Sequence, residues 1–328
     1  MNVLSLYMER IKGLGLSLGI GFLALFIYHT SKSHWLDPLL IALVLGLAVR
    51  PLFYKQTQLL AHTKELPSLL IPIGVLLYGS INLDFHQVAA VKIDFLFLTF
   101  FVFMVFILVT LALSIFLGLK EQVAYLLTSG STICGASAIT VTSQAVDAEA
   151  DDVSISLLAV FFAGLIALFL LLPFLRSSLG LSQEKYAVFA GASLQFTGFV
   201  KVAVGDLADQ ARALAMSVKA VRYLGLLFLV PFFASMIKGK IFVPWFLWGF
   251  LVSGILFSLF QDFAVVARPS LKPLLDMLWS SAMAAIGFNT NIRSLFSMQY
   301  LKAFCVSLVA FTVAACVFLL GLSLGMGS

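Results

Sequence analysis

The sequence predicts an all-α, polytopic membrane protein, and three observations carry that prediction. Hydrophobic residues fill 62% of the 328 positions and charged residues only 11%, whereas a soluble domain is typically about 25% charged. The apolar residues fall in runs of about 20, the length of one helical crossing. A chain of this size has too little interior to hide so much apolar surface from water, so its solvent is lipid.

These runs predict about eleven crossings, at 12–29, 38–54, 67–83, 94–118, 121–145, 153–176, 183–204, 211–237, 242–261, 271–290 and 300–325. Arg10 and Lys12 before the first run resemble the start of a signal peptide. The run to Tyr28 is long for a signal core and no A-x-A site follows, so a first transmembrane helix is expected. Pro51, Pro67 and Pro244 fall near predicted ends, while Pro72 and Pro231 predict kinks. Trp35, Trp245 and Trp248 read as interfacial anchors. The three cysteines, Cys134, Cys305 and Cys316, lie in apolar segments and predict no disulfide framework.

Orientation follows from the basic residues. Arg10, Lys12, Arg50, Lys55, Lys64, Lys120, Arg176, Lys185, Lys238, Lys240, Arg293 and Lys302 fall on the side of the N-terminus. Lys32, Lys92, Lys201, Arg212, Arg268 and Lys272 fall on the other. The positive-inside rule then predicts a cytoplasmic N-terminus and an external C-terminus. The acidic connection Asp147–Asp152 is placed outside, as a solvated loop. The net charge of +5 reflects basic loops, not nucleic-acid binding.

Four intramembrane features carry polar chemistry. Ser129–Ser143 is small, hydroxyl-rich and interrupted by Gly130 and Gly135. Such a stretch either packs helices closely or unwinds, freeing N–H groups and helix N-termini for an anion. Its candidate ligands are Ser131, Thr132, Cys134, Gly135 and Ser137. Gly191–Gly198 is a second interruption, contributing Ser193, Gln195 and Thr197; a buried amide there needs a partner in a neighbouring helix or a ligand. Lys219 and Arg222 share a helix face, and Arg222 lies ~16 Å along its crossing, near the bilayer middle. No crossing offers a central carboxylate, so these cations point to an anionic ligand, with an ion pair to Asp206 or Asp209 as the alternative. Asn289 and Asn291, matched by Asn82, serve either as helix caps or as site lining.

No Walker-type loop or metal-ligand cluster is present. His29, His34, His62 and His86 all fall near membrane edges, so neither an enzyme nor a cofactor is expected. ATP-driven transport would need another subunit.

Gly130-Ser-Thr-Ile-Cys-Gly-Ala-Ser-Ala-Ile139, the later Gly191-Ala-Ser193, Val218-Lys-Ala-Val-Arg222 and Ala284-Ala-Ile-Gly-Phe-Asn-Thr-Asn-Ile-Arg293 stand in one order. In that order they resemble the YeiH-like family, labelled sulfate exporters, over nearly the whole chain. The resemblance extends to the sodium–proton antiporter and bile-acid symporter superfamily. It implies one transporter domain over 1–328, with an extra helix at 12–29 and inverted repeats at about 38–176 and 183–325. It also implies discontinuous helices near the midplane and alternating access. Counted as crossings, the fifth and tenth helices have opposite orientation and the fifth and seventh do not. The family's second Gly-Ala-Ser is followed by His-Glu-Val-Ala-Gln; here Leu194-Gln-Phe-Thr-Gly198 stands in that place, without ionisable groups.

The function these features predict is secondary transport of a small anion of the sulfate, sulfite or sulfonate class, in a bacterial inner membrane. The expected partners are that anion and the lipid bilayer, and a homo-oligomer is compatible with the sequence. A membrane anion sensor or non-transporting partner protein is the alternative from another class. A cation–proton antiporter would need the central carboxylate that the sequence lacks.

Overall fold

The computed structural model describes residues 3–31, 36–53 and 57–326, with side chains described from Ile11 and, after the second gap, from Ala61. Lys32, His34, Trp35 and Lys55 lie outside the described residues, as does the side chain of Arg10. Every described element is helical. In order they are α1 (Val3–Ser31), α2 (Pro38–Val49), α3 (Thr57–Asn82), α4 (Phe85–Ala89) and α5 (Ile93–Phe116). Then come α6 (Glu121–Ser129), a π-turn (Gly130–Cys134), α7 (Ala136–Ala145), α8 (Ala150–Ile166) and α9 (Leu172–Leu179). The chain continues with α10 (Gln183–Ser193), α11 (Thr197–Ala203), α12 (Asp209–Tyr223), α13 (Leu226–Lys238), α14 (Trp245–Leu259), α15 (Gln261–Asn289) and α16 (Met298–Ser323). The all-α, polytopic expectation is met: six spans among the described residues are long and apolar enough to cross a bilayer, and Pro38–Phe53 and Trp245–Leu259 are shorter apolar helices.

Two expected crossings are not crossings. A straight helix over 121–145 would put its ends ~37 Å apart. Instead Lys120 Nζ donates to Asp152 Oδ2 at 2.8 Å and to Glu149 Oε2 at 3.3 Å. Helices α6 and α7 are therefore the two arms of a re-entrant hairpin. The same holds for 183–204: the Ala208 N–H donates to Gln183 Oε1 at 3.0 Å, and Arg176 pairs with Asp206 at 2.8 Å. The six long apolar spans are α1, α3, α5, α8–α9, α12–α13 and α16, and alternation of faces along the chain assigns α2, α14 and α15 to the crossings between them. We call the face from which α1 starts the near face and the other the far face.

The first hairpin enters from the near face and the second from the far face. Three consequences correct the sequence reading. Asp147–Asp152 moves to the near face, where Asp147 lies 3.7 Å from Lys238. Arg176 and Lys185 move to the far face, beside the Lys92–Glu184 pair, which narrows the basic bias. The two interrupted stretches now enter from opposite sides, a placement compatible with inversion, where counting them as crossings forbade it.

Smaller expectations fare variously. Pro72 and Pro231 do lie inside helices, but so does Pro67, because α3 starts at Thr57. Trp245 and Trp248 are exposed at the start of α14, as anchors should be. The described cysteines are all free.

Candidate functional site

The hairpin tips meet inside the molecule because backbone at membrane depth must find partners. At the first tip Gly135 adopts φ 67°, ψ −121°, a conformation only glycine takes without strain. A Cβ there would lie 2.9 Å from the Phe196 ring of the second tip, so glycine also sets how closely the tips approach. Behind the second tip, a Cβ on Gly191 would lie 2.5 Å from the Ala215 carbonyl oxygen; its absence lets α10 pack tightly on α12.

That packing delivers the two cations of α12 to the tips. Lys219, 0% exposed, donates to the carbonyl oxygens of Ile133 (2.8 Å), Leu194 (2.8 Å) and Gln195 (2.5 Å). Three acceptors match the three N–H groups of an ammonium. Arg222, 1% exposed, donates through Nε to Thr132 (2.7 Å) and through Nη2 to Ser131 (2.7 Å). Its Nη1 reaches Leu194 (2.6 Å) and Gly191 (3.3 Å). All of these acceptors are backbone carbonyls freed where helices end. Neither cation has a carboxylate partner among the described residues, as expected, but their N–H groups are taken up by carbonyls. The Asp206 or Asp209 alternative is corrected, since Asp206 holds Arg176 and Asp209 holds Arg212.

The charge at the tips is nonetheless positive. The arms ending there carry about −0.5 each and the returning arms about +0.5 each, so the backbone contributions offset one another. The two side-chain cations remain. Asp84 and Asp152 are the buried carboxylates among the described residues. Each is paired away from the tips, with Arg268 at 3.0 Å and Lys120 at 2.8 Å.

A cavity of about 300 Å³ opens from the far face and ends against the tips. Its floor holds Cys134, Ser137, Thr197, Tyr78, Tyr223 and Trp279. Tyr78 packs tilted against Trp279 (4.8 Å between ring centres) and edge-on to Tyr223 (5.9 Å), and its hydroxyl donates to Cys134 Sγ at 3.3 Å. Thr197 and Tyr223 hydroxyls are 2.9 Å apart. A second cavity, also about 300 Å³, opens from the near face and includes Lys64, Ser143, Gln144 and Asn289. Ser137 in one and Ser143 in the other are six residues apart on α7, ~9 Å of helix. Between them on α7 lies Thr140, whose hydroxyl reaches Met283 Sδ at 3.5 Å; both residues are 0% exposed.

Of the predicted ligands, Cys134, Ser137 and Thr197 line the far cavity, with Asn82. Ser193 Oγ bonds the Phe189 carbonyl four residues back at 2.6 Å, as hydroxyls in apolar helices commonly do. Ser131 and Thr132 give Arg222 their carbonyls, while their hydroxyls are buried without a partner. Gln195 gives its carbonyl to Lys219, and its unpartnered amide is turned towards Gly164 on α8. Asn289 donates to Thr63 Oγ1 and lines the near cavity. Asn291 caps the turn Ile292–Phe296. The sequence reading missed the aromatic floor, since Tyr78, Tyr223 and Trp279 come from three helices and resemble any other buried aromatic. It also missed Asp37, Lys201, Lys272 and Asp276 around the cavity wall.

A family model described as Conserved hypothetical protein 698 matches residues 12–307. A UPF0324 membrane protein of Archaeoglobus fulgidus is 32% identical over 268 residues, 78% of this chain and 76% of that one. A UPF0324 membrane protein of Agrobacterium fabrum is 31% identical over 277 residues, 80% and 77% of the two chains. The UPF0324 inner membrane protein YeiH of Escherichia coli is 27% identical over 278 residues, 78% and 76%. These names carry no substrate. No solved structure matches the chain. By the family model and the relatives alike, the chain belongs to the UPF0324 membrane protein family, that of conserved hypothetical protein 698.

Proposed function

We propose that the protein is a secondary transporter of a small anion. One observation carries the reading: two cavities from opposite faces end on α7, with the buried Thr140–Met283 contact between the α7 residues that line them. A site reached alternately from two faces, at the meeting of two inverted hairpins, is what alternating access requires. The leftover charge of Lys219 and Arg222 favours an anion, and the absence of a described carboxylate at the tips disfavours a cation. In this reading Ser137, Thr197 and the Tyr78 and Tyr223 hydroxyls contact the anion, while Lys219 and Arg222 hold the hairpins and supply field. Sulfate, sulfite and small sulfonates fit that chemistry. Basic residues retained on the near face, Lys12, Arg50, Lys64, Lys120 and Lys238, support a cytoplasmic N-terminus. The inner membrane named for the YeiH relatives is the expected location. Nothing in this reading calls for an enzymatic step or a cofactor.

The test is anion uptake into proteoliposomes together with thermal stabilisation by sulfate, sulfite and ethanesulfonate, since a ligand of the folded state raises its melting temperature. Wild type should show both, and Ser137→Val/Thr197→Val should lose both while remaining folded. Binding without flux would favour a sensor. Flux unaffected by the double substitution would remove the far cavity from the pathway.

A further inference from the structure

The far cavity carries a charged collar above its floor. Asp276 on the collar and Trp279 on the floor are three residues apart on α15, ~4.5 Å of helix. Lys272 Nζ holds Asp276 Oδ2 at 2.7 Å, so that pair is internally neutral. Lys201, from α11, lines the wall without an ion-pair partner among the described residues. Asp37 lines the same cavity, close enough to Lys272 and Asp276 to feel their charges, next to Tyr28 of α1. It is half-buried and has no cation within ion-pair distance among the described residues. Its Oδ1 accepts the Leu39 and Leu40 N–H groups at 2.9 and 3.4 Å, capping α2, and its Oδ2 has no described protein donor. At the second hairpin tip, Leu194–Gly198 offers no titratable group at all.

We propose that Asp37 is a proton site coupled to the anion, so that the far cavity takes up its anion together with a proton on this carboxylate. The proposal rests on reading the far cavity as the anion's entry. An anion moving to the floor must pass the collar. With Asp37 ionised, its charge offsets that of Lys201 and the collar is neutral; with Asp37 protonated, the collar is positive. Coupling is reciprocal: whatever factor protonation adds to anion affinity, the bound anion adds to proton affinity. Burial pushes the Asp37 carboxyl up to about 6, against the pull of the Leu39 and Leu40 N–H groups. Asp276 adds to the rise and Lys272 opposes it. Occupancy therefore changes in a range that a cell's proton gradient reaches.

The test uses the full-length protein with sulfate and ethanesulfonate, which do not titrate between pH 5 and 8. Affinity is measured across that range, and proton uptake on anion addition is followed in weak buffer. Wild type is expected to bind on the order of tenfold more tightly at pH 5 than at pH 8, the scale expected when one nearby negative charge is removed. It should also take up protons on binding near pH 7. Asp37→Asn keeps the cap, since Asn caps helices as well as Asp; it should bind with one affinity throughout and take up no proton. Asp276→Asn should keep a pH slope. A slope that survives Asp37→Asn, or wild type without one, overturns the proton site and leaves the anion reading standing. No binding of either anion at any pH would overturn both.

Discussion

Lys219 Nζ reaches the carbonyl oxygen of Ile133 at 2.8 Å across 86 positions of sequence. That bond, with those to Leu194 and Gln195, makes one side chain the rivet between two hairpins from opposite faces. Burying an ammonium is costly unless every N–H is bonded, and freed carbonyls are costly unless they find donors. Each cost offsets the other here.

Removing the rivet should therefore disable folding before it disables transport. Lys219→Met leaves the Ile133 and Gln195 carbonyls unbonded, at about 1–3 kcal/mol each, while Leu194 keeps Arg222. Arg222→Met leaves those of Ser131, Thr132 and Gly191, on the same scale, while Leu194 keeps Lys219. Both variants should lose the folded state by size-exclusion profile and thermal melt in detergent. A well-folded Lys219→Met with only its anion response missing would make Lys219 a ligand and not a rivet.

The hairpins make a topology prediction. Single cysteines at Lys64, Glu149 and Lys238 should react with an impermeant thiol reagent from one side of the membrane, and cysteines at Glu184 and Asp206 from the other. If 121–145 and 183–204 both crossed the bilayer, Glu149 would label with Asp206 and Glu184 with Lys64, and the re-entrant assignment would fail.

Gly135→Ala should be costly for two separable reasons, the positive φ and the Phe196 ring. Backbone strain of this kind costs on the order of 1–3 kcal/mol. Phe196→Leu added to Gly135→Ala should relieve the collision and restore only part of the stability. Full restoration, read from melting temperatures, would mean that the dihedral does not matter.

Met283 and Thr140 make a buried contact between the α7 residues that line the two cavities, so in the transporter reading Met283→Ala should open a leak. Proteoliposomes containing it are expected to lose an imposed anion gradient faster than wild type, with little loss of protein stability beyond the ~2–5 kcal/mol of a buried Met→Ala change. An unchanged leak rate would place the barrier elsewhere.

Asp37 predicts a stability effect with a definite sign. Its folded pKa, about 6, lies above the ordinary carboxylate value of 3.8. The folded state therefore binds the proton more tightly, and stability falls as pH rises from about 4 through 6. Asp37→Asn should remove that fall, gaining on the order of 1–2 kcal/mol at pH 8 after allowance for water at the cavity mouth. At pH 4 wild type and variant should melt alike. A gain of equal size at both pH values would point to packing instead of charge.

By itself the sequence determined the solvent, the helical class, the two polar interruptions and the depth of Lys219 and Arg222. Those follow from local properties: apolar run length, glycine and hydroxyl clustering, and rise per residue. It did not determine that the interrupted stretches turn back, because a hairpin and a crossing have the same local pattern. They differ in whether distant ends such as Lys120 and Asp152 meet. Nor did it reveal what the cations bond, since backbone carbonyls leave no mark in a sequence and become acceptors only where helices stop. The cavity was the least legible part. Tyr78, Tyr223, Trp279 and Asp37 come from four helices or their caps, and only their three-dimensional meeting distinguishes them from ordinary core aromatics and an ordinary helix cap.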